Sequence, residues 1–224
     1  MNLVIVQIQL DLLANFLDRV TAEAGQELDV IEERRLAGAF QSFSDYEHAV
    51  DYPVGRIRLA ARAVAYELVA LVESELHDLA HEPWLASSAH KGPKNILQVA
   101  RVSPETLTQL RMVSDLPFDE VVKLVEARFG VSLVDIEGWK EIRQLRDAVN
   151  AFKHRRGFKH PREINWSSEG RVLLPRYDSN QQEAIKAITD VACFFRRLKS
   201  VIDRSSLPSA NLGPAWLEED DPGG

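Results

Sequence analysis

The chain has 224 residues, a formal net charge of -7, 45% hydrophobic residues and 27% charged residues. Those are ordinary globular values, with length for one large domain or two small ones, so wholesale disorder and a fibrous repeat are excluded. A single cysteine, Cys193, excludes a disulfide scaffold and a Cys-rich zinc module and suits a reducing cytoplasm.

The first apolar pattern is Val4, Ile8, Leu12 and Phe16, with Leu3, Val6, Leu10, Leu13 and Leu17 beside them. It predicts a helix with a broad apolar face, ended by Gly25. Met1 to Leu10 is apolar but lacks the basic start of a signal peptide. A second helix is predicted over 26–40. Ser42 to Gly55 reads as a loop, with Asp51, Pro53 and Gly55 as turn residues. A long helix follows over 56–81, with Leu59, Val64, Leu68, Val69, Leu71, Val72, Leu76 and Leu79 as its apolar stripe and Glu82-Pro83 as its stop. Residues 83–95 read as a loop, and Ser103-Pro104-Glu105 as a helix start. Asp115-Leu116-Pro117 opens another helix, closed by Gly130.

Over 136–155, Ile136, Trp139, Ile142, Leu145, Val149 and Phe152 step by three or four, which predicts a helix ended by Gly157. Ile164-Asn165-Trp166 and Arg171-Val172-Leu173-Leu174 flank a turn and predict a small β-hairpin. Asp178-Ser179 with Gln182 and Glu183 opens a last helix to about Asp203. The acidic stretch from Ser205 onward reads as a disordered tail. No apolar run approaches the ~18 residues of a membrane span, so no membrane partner is expected. The fold class is mainly α, an antiparallel helical bundle.

Charge is distributed unevenly. Residues 1–142 carry a net of -10, residues 143–177 a net of +6 and residues 178–224 a net of -3. A basic island in an acidic chain fits a phosphate-bearing partner, or else a solvated surface facing acidic neighbours. On a helix, Arg143, Arg146, Asp147, Asn150 and His154 share one side. Arg clamps phosphate, Asn orients by hydrogen bonds and His moves a proton near neutral pH. Together they meet the needs of phosphodiester cleavage without a metal. The same residues also suit a basic helix C-terminus that complements the dipole. His77 and His81 have metal-ligand spacing but no third ligand in sight, so neither a metal nor a cofactor is expected.

Trp139-x-x-Ile142-x-x-Leu145-Arg146-x-x-Val149-Asn150-x-x-x-His154-x-x-Gly157 resembles the signature helix of HEPN domains. The resemblance covers about residues 56–203, with 1–55 as an N-terminal helical extension and 204–224 as the acidic tail. It implies a helical bundle that dimerises and cleaves RNA without metal, by attack of a 2′-hydroxyl on the adjacent phosphate. The family functions in prokaryotic defence and toxin–antitoxin systems. By that resemblance His154 is the acid–base residue, Arg146 the phosphate clamp and Asn150 the orienting residue. Arg143, Lys153, Arg155, Arg156, Lys159 and His160 hold the RNA, with tRNA as one candidate. An antitoxin or a defence subunit is the implied protein partner. The family arginine falls at Val149, one turn after Arg146, so a non-catalytic module that binds RNA or a partner protein is the alternative. Trp166 and Tyr177 flank the basic island and are candidates for base stacking.

Overall fold

The computed structural model describes residues 1–87, 116–155 and 180–204. Five α-helices account for most of them: α1 (Leu3–Leu36), α2 (Phe43–Ser87), α3 (Phe118–Phe129), α4 (Trp139–Arg155) and α5 (Gln181–Arg204). A 3₁₀ turn at Leu133–Asp135 precedes α4. The fold is mainly α, and no strand occurs among the described residues. The hairpin expected at 164–174, the helix start at Ser103 and the acidic tail lie outside them.

The chain divides into two compact units, one of Asn2–Leu71 with Ile136–Arg197, the other of Met1, Val72–Asp135 and Leu198–Gly224. The sequence boundary at 55/56 falls inside α2, which is one helix from Phe43 to Ser87.

In the first unit, α1 begins where the Val4 N–H donates to Asn2 Oδ1 at 3.0 Å, a side-chain cap on an otherwise unpaired donor. Its end carries Arg34 and Arg35, which complement the dipole, and Gly38 turns the chain at φ +69°. α2 opens on the Ser42 hydroxyl, which accepts from the Asp45 N–H at 3.1 Å. The two helices form an antiparallel hairpin. Tyr46 packs edge-on against Phe40, with ring centroids 5.6 Å apart, and further along Arg56 pairs with Glu27 at 2.6 Å. Arg35 grips Glu32 with two hydrogen bonds, Nε at 2.7 Å and Nη2 at 2.5 Å. This hydrogen bonding, with the guanidinium charge behind it, lowers the Glu32 carboxyl pKa and raises that of Arg35.

α2 and α4 are also antiparallel. Val149 packs with Ala65 and Val69, while Phe152, later on α4, meets the earlier Arg62 of α2. α5 closes the unit against the start of α4. Trp139 stacks at a tilt on Phe194, with centroids 5.6 Å apart, and Arg197 pairs with Glu137 at 2.9 Å. Phe194 and Phe195 are essentially fully buried, each worth roughly 1.5–3 kcal/mol of burial.

In the second unit, Phe118, Val121, Val125 and Phe129 form the buried face of α3. Gly130, in the left-handed region at φ +61°, ends that helix, as its position in the sequence predicts. Glu126 then accepts from the Leu133 N–H at 2.7 Å, and Arg128 donates to the Leu79 carbonyl at 2.6 Å.

The structure corrects several sequence expectations. Gly25 does not end a helix; α1 runs through it, because flanking helix formers outweigh a glycine penalty of ~1 kcal/mol. Residues 43–55 are helix rather than loop. Pro53 is buried there, and a long, packed helix tolerates its one missing hydrogen bond. Glu82-Pro83 does not stop α2, which continues to Ser87. The cap of α5 is Asn180, whose Oδ1 accepts from the Glu183 N–H at 2.9 Å. Leu59 is 65% exposed instead of joining the core stripe. Cys193 is half-buried. On α1, Val4, Ile8, Leu12 and Phe16 are exposed, and the buried face is Val6, Leu10, Leu17 and Ala24.

Candidate nucleic-acid interface

α4 positions most of the candidate residues. Its inward face is set by Trp139, Ile142 and Val149, all buried, with Leu145 partly buried against the Val149 cluster. That choice rotates the polar row to the rim. Arg143, Arg146 and Asn150 are half-buried, and Lys153 and His154 are exposed. Arg155 is the last residue of the helix. Arg156, Lys159, His160, Trp166 and Tyr177 lie outside the described residues.

Helix geometry spaces the row. Arg146, Asn150 and His154 follow at ~6 Å of rise per step, so Arg146 and His154 stand ~12 Å apart along the axis. Helical side chains all lean toward the N-terminus, so this separation persists at their tips. Asn150 stands midway, about one turn from Arg146 on one side and from His154 on the other. A row with this step matches successive phosphates of an extended strand better than a single phosphate.

Val149, at the position where the resemblance to HEPN domains expects an arginine, is 1% exposed and packed with Ala65, Val69, Tyr66 and Leu145. That position therefore faces the core of this unit. An arginine there would start from a buried position among apolar neighbours.

α2 adds residues that sequence reasoning did not single out. The Arg62 guanidinium lies 5.2 Å from the Phe152 ring centroid, and the Lys153 ammonium lies 5.4 Å from that of Tyr66. Each cation sits over an aromatic face, an attraction of ~0.5–1 kcal/mol at exposed sites. Between the two helices lies a shallow open groove of about 620 Å³, lined by Leu59, Arg62, Ala63, Tyr66, Glu67 and Phe152. The signal for it was present in Arg58, Arg62 and Tyr66, which step by four on the outer flank of α2. It reads as an ordinary wet helix face until α4 is laid beside it.

Among the described residues, no group of three or more His, Cys, Asp or Glu side chains is placed to hold a metal ion. No described helix is long and apolar enough to cross a membrane. Comparison with protein-family models, curated protein sequences and solved structures finds no match.

Proposed function

We propose that the chain is an RNA-directed protein, a metal-independent endoribonuclease of a prokaryotic defence or toxin–antitoxin system, with α4 as its RNA-contacting helix. The observation that carries this reading is the polar row Arg146, Asn150 and His154 on the rim of α4, beside the cations Arg62 and Lys153. The antiparallel contact of α2 with α4 supports the family resemblance on which the chemistry rests.

In that chemistry a ribose 2′-hydroxyl attacks the adjacent phosphorus and loses its proton. A cyclic phosphate forms, and the 5′-oxygen leaves with a proton. His154 is the group suited to move protons. Arg146 and Lys153 neutralise the backbone, with Arg143, Arg155, Arg156, Lys159 and His160 extending the same charge. Because Arg146 and His154 stand two turns apart on one helix, a second copy that lays its α4 across the same cleft would complete the charge around one phosphate. An antitoxin or another defence subunit is the protein partner this reading implies.

The test is cleavage of total RNA and tRNA in EDTA by the wild type and by His154→Ala. Loss of a general acid–base group lowers the rate by about 10²–10⁴-fold, while far-UV circular dichroism stays unchanged because His154 is exposed. Equal cleavage by the mutant sinks the assignment.

The second reading is a non-catalytic RNA- or protein-binding module of the same fold, favoured by the buried Val149 where the resemblance expects an arginine. It predicts salt-sensitive RNA binding by the wild type without cleavage.

A further inference from the structure

The groove beside α4 has a small residue as its floor. Leu59, Ala63 and Glu67 step by four along one row of α2, and Arg62 and Tyr66 form the row next to it. Ala63 is exposed and leaves a gap between Leu59, one turn before it, and Tyr66 and Glu67, one turn after. Phe152 of α4 closes the side at Arg62, whose guanidinium lies 5.2 Å from the ring centroid. All of these residues belong to one compact unit. The space of about 620 Å³ falls within the ~300–1,000 Å³ of small-ligand sites.

We propose that this groove is a guanine-selective subsite for one nucleotide of a single-stranded RNA. The proposal rests on α4 as the RNA-contacting helix and adds to it a choice of base made by α2. A nucleotide combines a flat apolar base, an anionic phosphate and N–H donors on the base edge. The groove holds the complement of each. The base lies over Ala63 against the Tyr66 and Phe152 rings, as unstacked RNA bases pack on aromatic side chains. Arg62 and Lys153 take the phosphates on either side of it. Both cations are already held against the Phe152 and Tyr66 rings, so less side-chain freedom is lost on binding.

Glu67 sets which base is taken. A carboxylate only accepts, and its two oxygens accept two parallel N–H bonds. Guanine presents two adjacent donors, N1–H and the exocyclic N2–H. Adenine and cytosine each place an amino group beside a ring nitrogen whose lone pair repels a carboxylate. The N3–H of uracil lies between two carbonyl oxygens that do the same. The Glu67 side chain is exposed and has no ion-pair partner among the described residues, so its acceptors are not used within the fold. A lone acid in a groove that otherwise attracts phosphate opposes backbone binding, and recognition of a donor edge is the chemistry that suits it.

The experiment is fluorescence anisotropy of the full chain with labelled 2′-O-methyl decauridylate, unchanged or carrying one central guanine, adenine or cytosine. Methylation of the 2′-hydroxyl removes the nucleophile, so binding is read without cleavage. The wild type is expected to bind the guanine oligomer on the order of tenfold more tightly than the other three, the discrimination typical of a bidentate base contact. Glu67→Gln removes the carboxylate, and Ala63→Leu fills the floor. Both positions are exposed, so circular dichroism is expected to stay unchanged. Glu67→Gln is expected to bind the three other oligomers as well or better, since it removes a negative charge, and the guanine oligomer no better than those. Ala63→Leu is expected to lose the preference too. A Glu67 that is merely solvated would instead let Glu67→Gln tighten all four equally, which overturns the proposal. Equal, salt-sensitive binding of all four by the wild type also overturns it, while leaving α4 as the RNA-contacting helix. No binding of any oligomer at low salt overturns both.

Discussion

Gly138 shows how one residue ties two helices. It has φ +91°, and a Cβ built there would lie 2.9 Å from the Asp190 carbonyl oxygen and 3.0 Å from Phe194 Cβ. Both the backbone conformation and the closeness of α5 therefore require glycine. The periodicity of 136–155 makes this residue an interior helix position, but the helix starts one residue later, at Trp139. Gly138→Ala is expected to destabilise the protein by about 2–4 kcal/mol, combining strain at positive φ with displacement of a packed backbone. A urea unfolding curve checks it; a change under ~0.5 kcal/mol would show that α5 yields at that point.

At the scale of the element, the long helices override local breakers. Gly25 and Gly55 sit inside α1 and α2, and an added Cβ at either meets nothing within 4 Å. Gly25→Ala and Gly55→Ala are each expected to stabilise by about 0.5–1 kcal/mol, through helix propensity and a less flexible unfolded chain. Thermal melts of both variants are the measurement. α4 teaches the converse lesson, that a helix face is committed as a whole. Val149→Arg supplies the residue type that the proposed resemblance expects at this position, yet it would place a charge where the side chain is 1% exposed. Its expected effect is a loss of several kcal/mol and of the folded state, not a gain of cleavage. A folded Val149→Arg protein that cleaves RNA faster would show that α4 can rotate its rim outward.

For the whole molecule, much of the helical pattern was legible in the sequence, because burial follows the 3.6-residue period. Trp139, Ile142 and Val149 share one face by their spacing and are buried together, as are Leu68, Val72 and Leu76. The polar row of α4 was legible for the same reason, since it occupies the positions beside that face. Its groove was not, because Arg62 and Tyr66 lie about 90 residues before their partners Phe152 and Lys153.

The sequence by itself therefore determined the mainly helical class, the shared faces of α4 and of the second half of α2, and the glycine that ends α3. Local spacing and capping chemistry suffice for those. Only the tertiary structure decided which of the two apolar sides of α1 turns inward, that Pro53 and Gly55 lie within a helix, and that position 149 belongs to the core. Periodicity says which residues travel together on a face but not what the face meets. Helix-breaking penalties of ~1–3 kcal/mol are smaller than the summed packing of a long buried stripe, so contacts distant in sequence had the final word.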